Sequence, residues 1–213
     1  MGTAIRLSQR QARDHAAYWA RARAESGEIT YLALGDSAAV GVGVDDPQQG
    51  YVGVVARRLA EATGRSVRTV NLAVSGARAR DVLDDQIPCQ TALPPPDHVT
   101  CVVGGNDVAW APRFRAAEFA ETMAAIAGAL PANSVMGLVP RFGHWPYEGR
   151  ARRANRIIRD RADLQGHPVA EIHAYTTRIP LLRSVSLLAG DYFHPNAAGH
   201  ELWADAVWEA LPR

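Results

Sequence analysis

Between residues 29 and 172, five short apolar runs (29–34, 67–72, 99–103, 134–139 and 169–172) alternate with segments of helical periodicity. This pattern constrains the fold more than any other feature of the chain. A strand that leads through a helix to the next strand makes a right-handed crossover, and repeated crossovers build a parallel sheet between helical layers. The run Val99-Thr100-Cys101-Val102-Val103 is almost wholly apolar, as a strand covered on both faces must be. The periodicity predicts helices over 51–63, stopped by Gly64, over 79–86, ended by Pro88, and over 116–130 and 148–164. A last helix is expected to open at Pro195 and run to about Leu211. Ahead of the alternation, residues 8–26 read as a helix closed by Gly27, with Ala12, Ala16, Trp19 and Ala20 on its inner stripe. That alanine face is too small for firm membrane insertion, so the helix is expected to pack on the domain. The expectation is one three-layer α/β/α domain over residues 29–213, preceded by a helical extension over residues 1–28.

Composition narrows the function classes by exclusion. With 47% hydrophobic and 21% charged residues among 213, the chain is globular rather than disordered. Its 23 basic residues are all arginine and face 22 acidic ones, for a net charge of +1. Nothing in that balance calls for nucleic acid or an anionic membrane. Six arginines crowd residues 150–161, but Arg156 and Arg159 each precede an aspartate by four positions, and Ile157, Ile158 and Ala154 supply an inner side. A solvated helix face is the expectation there. Cys89 and Cys101 fit neither a disulfide framework nor a zinc pattern. Cys101 is expected to be a buried thiol, and a Cys89–Cys101 bridge stays open for an exported protein. Residues 1–28 show no apolar core of a secretion signal, and Met1-Gly2-Thr3-Ala4-Ile5-Arg6 lacks the pattern of a lipidated start. A reduced, cytoplasmic protein without a membrane anchor, and a monomer, is therefore expected.

Parallel sheets bind ligands outside the carboxyl ends of their strands. Four segments meet that description: Gly35-Asp36-Ser37-Ala38-Ala39-Val40-Gly41-Val42-Gly43, Ala73-Val74-Ser75-Gly76, Gly104-Gly105-Asn106-Asp107 and Asp191-Tyr192-Phe193-His194-Pro195. Together they hold what acyl transfer needs: a hydroxyl nucleophile, a base, a group that orients the base, and oxyanion donors. Ser37 sits at the mouth of the first strand, and His194 supplies a base. Asp191 lies three residues earlier, so one turn brings its carboxylate to His194 Nδ1 while Nε2 points at Ser37. The backbone N–H groups of Ser37 and Gly76 and the side-chain amide of Asn106 are the available oxyanion donors. Asp36 and Asp107 are expected to brace their loops.

These blocks, in this order, resemble the SGNH hydrolases, also called GDSL-type esterases and lipases. The resemblance covers residues from about Thr30 to the C-terminus and rests on Gly35-Asp36-Ser37, Gly76, Gly104-Gly105-Asn106-Asp107 and the Asp191-x-x-His194 spacing. Ala38 stands where the older motif has leucine, and the N-terminal helix is outside the pattern. The resemblance implies a flavodoxin-like sandwich with a five-stranded parallel sheet. It also implies hydrolysis of a small acyl ester through an acyl-enzyme, without metal or cofactor. Ser37 would be nucleophile, His194 base and Asp191 its orienting acid, with Ser37, Gly76 and Asn106 forming the oxyanion hole.

The glycine loop lacks the signatures of a P-loop or a dinucleotide fold, and no Gly-x-Ser-x-Gly elbow occurs. A metal site from Asp191, His194 and His200 is disfavoured, because six helical positions turn His200 away from His194. His200 is expected to cap or to face solvent. Trp110, Phe142, Trp145 and Tyr147 (with His144) border the expected mouth and are candidates to wall a substrate pocket. Without room for a lid domain, the site is expected to be open and shallow. An acyltransferase, or a non-catalytic binding protein on the same fold, remains the alternative to an esterase acting on short-chain or lipid-like esters.

Overall fold

In the computed structural model, which describes residues 2–110 and 113–212, the strand–helix alternation is realised along the whole domain. Met1, Ala111, Pro112 and Arg213, which fall within the expected segments 1–28 and 29–213, lie outside the described residues. In chain order the elements are α1 (Gly2–Ala22), β1 (Ile29–Gly35), α2 (Ser37–Val40), α3 (Tyr51–Thr63) and β2 (Val67–Asn71). Next come α4 (Ala79–Asp81), α5 (Ile87–Thr91), β3 (His98–Val102), α6 (Gly105–Ala109), α7 (Ala116–Ala129) and β4 (Val135–Gly137). The chain finishes with α8 (Tyr147–Gln165), β5 (Val169–Ala170), α9 (Ile172–Arg178), α10 (Leu181–Ser184) and α11 (Ala197–Ala210). The five strands form a wholly parallel sheet in the order β2-β1-β3-β4-β5. Strand order reverses between β1 and β3, so the loops after these two strands diverge and leave a crevice.

Alternate residues of β1 feed two separate cores. Tyr31 and Ala33 join Trp19, Val55, Leu59 and Trp203, beneath α1, α3 and α11. Leu32 and Leu34 join Met123, Ile126 and Ile158, beneath α7 and α8. Both faces of the sheet are covered, which makes three layers and explains the nearly unbroken apolar reading of β3.

Several local expectations change. The inner stripe of α1 is Gln11, His15, Trp19 and Ala22, while Ala16 and Ala20 are exposed. Polar residues can occupy that stripe because the loop beneath supplies partners: Gly43 N–H donates to Gln11 Oε1 at 3.1 Å, and Trp19 Nε1 donates to the Val40 carbonyl at 2.9 Å. Pro88 does not end a helix. Instead α4 continues through a π-turn over Val82–Gln86 into α5, and the wider turn accommodates a ring that lacks an N–H. Asn196, not Pro195, caps α11, its side chain accepting from Gly199 N–H at 3.1 Å. Arg159 pairs with Glu171 after β5 rather than with Asp163 on its own helix. Both cysteines are free, Cys89 exposed and Cys101 buried, so the bridge left open above is absent.

Candidate active site

Buried amides hold the strand ends from which the site is built. At the end of β1, Gly35 N–H donates to Gln86 Oε1 at 2.9 Å and Gln86 Nε2 donates back to Gly35 O at 2.8 Å. Asn71 Nδ2 donates to Ala39 O at 2.7 Å, and Asn155 makes the same two-way clamp on Val139 after β4. Each amide meets a backbone group where the sheet ladder stops, so no polar group is left unpaired there. None of these three was singled out from the sequence, because a buried Gln or Asn carries no motif. The π-turn around Gln86 is the one irregularity that marks it.

Ser37 follows immediately and is 5% exposed. Asp36 braces its loop as expected, its Oδ1 accepting from Ala38 N–H at 3.0 Å. Burial pushes the Asp36 carboxyl up to about 6, against the opposing pull of that N–H and of His194. Asp107 braces the neighbouring loop by accepting from Ala79 N–H at 3.1 Å, and burial raises its carboxyl as well.

The turn from Asp191 to His194 closes on its own carboxylate. Asp191 Oδ1 accepts the N–H groups of Phe193 and His194, each at 3.0 Å. Its Oδ2 lies 2.6 Å from His194 Nδ1, and His194 Nε2 lies 3.0 Å from Ser37 Oγ. An ionised carboxylate only accepts, so Nδ1 carries the proton and Nε2 is left to receive one from Ser37. Burial drives the Asp191 carboxyl up, but hydrogen bonds from His194, Ser8 and the two backbone groups outweigh it and hold it below the usual carboxylate range. The turn is seated against the loop of Ser37 at Gly43. There φ is +107°, and a Cβ would come within 2.1 Å of the Pro195 carbonyl oxygen and 3.1 Å of His194 Cβ.

Asn106 is 5% exposed, and its Nδ2 donates to Ala77 O at 2.9 Å, which orients the amide beside Ser37 with a second N–H to spare. Gly76 stands in the turn after β2, tied to the end of β1 by a bond from Val74 N–H to Gly35 O at 3.2 Å. Its φ of +88° belongs to glycine, although a Cβ there would meet nothing within 4 Å. The expectation for His200 is overturned. It is wholly buried, with Nδ1 accepting from Tyr51 N–H at 3.2 Å and Nε2 donating to Val42 O at 3.1 Å. Burial lowers its pKa to about 4, so it stays a neutral strut under the Ser37 loop.

Ser37, Asn106 and His194 face a cavity of about 200 Å³. The site is therefore not shallow. Its walls include Leu138, Leu181, Leu187, Leu188, Leu202 and Trp203. Of the aromatic candidates, Phe142 and His144 line the cavity. Tyr147 packs against Phe142 in a tilted pair at 6.2 Å, and Trp110 lies against Phe193 at 5.3 Å with 63% of its surface exposed. Trp145 is 88% exposed and turned to solvent. Among the described residues, no group of three or more His, Cys, Asp or Glu is placed to hold a metal ion. No helix among them is long and apolar enough to cross a membrane.

Comparison with known proteins bears on the family and the fold. The GDSL-like esterase Rv1075c of Mycobacterium tuberculosis is 24% identical over 198 residues, 86% of this chain and 62% of that protein, so the chain spans under two thirds of that relative's length. The fold is shared with an α/β hydrolase enzyme from the metagenome of Lake Arreo, Spain, at 22% identity and a TM-score of 0.70 over 87% of this chain and 96% of that one. An acetylxylan esterase from Geobacillus stearothermophilus is similar at 22% identity and a TM-score of 0.68, covering 87% and 94%. The sequence pattern of the GDSL-like lipase/acylhydrolase family matches residues 33–202, and with four fifths of its length matched the chain belongs to that family.

Proposed function

We propose that this protein is a serine esterase that hydrolyses carboxylic esters with an apolar acyl group. The observation that carries the reading is the unbroken chain Ser37 Oγ–His194 Nε2 at 3.0 Å and His194 Nδ1–Asp191 Oδ2 at 2.6 Å, opening onto an apolar cavity. Ser37 Oγ attacks the ester carbonyl carbon while His194 Nε2 takes the hydroxyl proton. The ester C–O bond breaks, the alcohol leaves with that proton, and water activated by the same imidazole hydrolyses the acyl-Ser37 bond. Charge on the tetrahedral oxygen is met by the N–H groups of Ser37 and Gly76 and by Asn106 Nδ2. The walls of Leu138, Leu187, Leu202 and Trp203 favour an aliphatic acyl chain over acetate.

The test is a series of p-nitrophenyl esters from acetate to decanoate. The specificity constant kcat/KM rises by about fourfold per added methylene until the cavity is filled, since each buried methylene contributes about 0.8 kcal/mol. Ser37→Ala abolishes it without unfolding the protein, and mass spectrometry of the wild type with a slow ester finds the acyl group on Ser37. Undiminished turnover in Ser37→Ala would remove the assignment. A preference for acetate would remove the acyl-chain part alone.

A further inference from the structure

The family pattern begins at residue 33, yet α1 reaches the catalytic edge. Ser8, Gln11, His15 and Trp19 succeed one another at three- and four-residue spacing and so lie along one face of α1. Each touches the site's framework. Trp19 Nε1 donates to Val40 O at 2.9 Å, at the last residue of the short helix that Ser37 begins. His15 Nε2 lies 3.4 Å from the Asp45 carbonyl. Gln11 accepts from Gly43 N–H at 3.1 Å and donates to the Asp45 carboxylate at 3.3 Å. Ser8 Oγ, at the end of the row, donates to Asp191 Oδ2, the same oxygen that receives His194 Nδ1–H.

We infer that Ser8 is a positioning residue for the Asp191–His194 pair, and that α1 is thereby part of the active-site architecture of this chain. The inference rests on the assignment of Ser37, His194 and Asp191 proposed above. A carboxylate offers roughly four lone-pair sites. Two at Asp191 are filled by the N–H groups of Phe193 and His194, one by the imidazole and the last by Ser8. With all four engaged, the carboxylate plane is fixed in line with the imidazole. The Ser8 hydroxyl also draws charge from Oδ2, so the proton on Nδ1 stays with the imidazole. Water cannot compete for that oxygen while Ser8 occupies it.

Replacing Ser8 by Ala removes one donor without opening the core, and alanine favours the helix it sits in. With one donor fewer, Oδ2 presents more negative charge to the imidazole and favours its protonated form. The other ionisable groups near His194, Asp36 on the Ser37 loop and His200 on α11, are unchanged in this variant, as is His15 on α1, which faces His200. Ser8→Ala therefore lowers kcat by about tenfold, leaves KM where it was, and moves the acid limb of the kcat/KM profile to higher pH. Ser8→Thr keeps the hydroxyl and restores both values. Thermal unfolding of each variant shows whether the folded fraction at assay temperature is equal. Wild-type kcat and an unshifted acid limb in folded Ser8→Ala would overturn the inference, as would a loss that merely follows the folded fraction and is not restored by threonine. Ser37→Ala separates the two levels. If that variant still turns over substrate, the catalytic assignment fails and takes Ser8 with it. If it is inactive while Ser8→Ala behaves as wild type, only the role of Ser8 fails.

Discussion

Every residue from Ser37 to Val42 is buried, whereas none from Leu181 to His194 is. Two halves of one hydrogen-bond chain are thus held by different physics. Ser37 is set by packing: β1 beneath it, α1 above it, and the buried amides of Gln86 and Asn71 beside it. Asp191 and His194 sit on a partly exposed turn, and hydrogen bonds to the Asp191 carboxylate give that turn its shape. The contrast teaches that the serine's position depends on the whole fold, while the acid–base pair can be damaged one bond at a time with the fold intact.

The sharpest way to break the second half is Asp191→Asn. An amide in place of the carboxylate imposes the wrong tautomer on His194, and kcat falls by on the order of 10⁴ with the unfolding transition little changed. Steady-state kinetics on a chromogenic ester measures it. The first half breaks through the core. Trp19→Ala empties a site that is 4% exposed and removes the bond to Val40, so stability in urea drops by about 3–5 kcal/mol. Activity per folded molecule falls with it, because the loop of Ser37 rests on that indole.

Gly43→Ala attacks the seam between the halves. Its methyl group overlaps the Pro195 carbonyl oxygen, and relief comes only by moving the His194 turn away from Ser37. A loss of about 1–3 kcal/mol in stability is expected, together with a kcat loss larger than that destabilisation explains. A variant as active as the wild type would show that the two halves are not seated on each other there.

Acid titration separates two carboxyls, Glu148 on α8 and Asp36 on the Ser37 loop, by sign. Burial raises the Glu148 carboxyl, but the N–H groups of Gly143 and Phe142, with Arg152 and His173, outweigh it and hold the pKa at about 2. A folded value below the unfolded one stabilises the protein above the unfolded value, and this contribution fades as pH falls from about 5 toward 2. Asp36 runs the other way: its folded value of about 6 lies above the unfolded one, so stability is lost as pH rises through 6. Glu148→Gln therefore flattens the acid limb of a stability profile. Asp36→Asn is more stable relative to the wild type at pH 8 than at pH 4. The smallest effect belongs to the half-exposed side of the molecule: Leu182→Ala, at a side chain 95% exposed, changes stability by no more than about 0.5 kcal/mol.

Much of this was legible from residue order. The strand runs and α3 match their predicted places closely, because apolar periodicity and Gly64 are local signals. Ser37, Asn106, Asp191 and His194 were legible because each lies in a short block whose geometry its neighbours impose. The inner face of α1 was not, since an alanine stripe looks more apolar than Gln11 and His15 until the partners at Gly43 and Asp45 are known. His200 likewise reads as a surface residue until Tyr51 and Val42, about 150 positions away, supply its two bonds. Arg159 reads as paired within its helix until Glu171 comes beside it.

By itself, then, the amino-acid order determined the layer architecture, the edge of the sheet where a site belongs, and the short blocks that bring Ser37, His194 and Asp191 together. Those follow from the period of the side chains and from turns only a few residues long. The tertiary structure decided which polar side chains are buried, which apolar side chains line the cavity beside Ser37, and that α1 reaches the Asp191 carboxylate. Each depends on a partner far away in sequence, and a polar group's burial is decided by whether that partner is there to meet it.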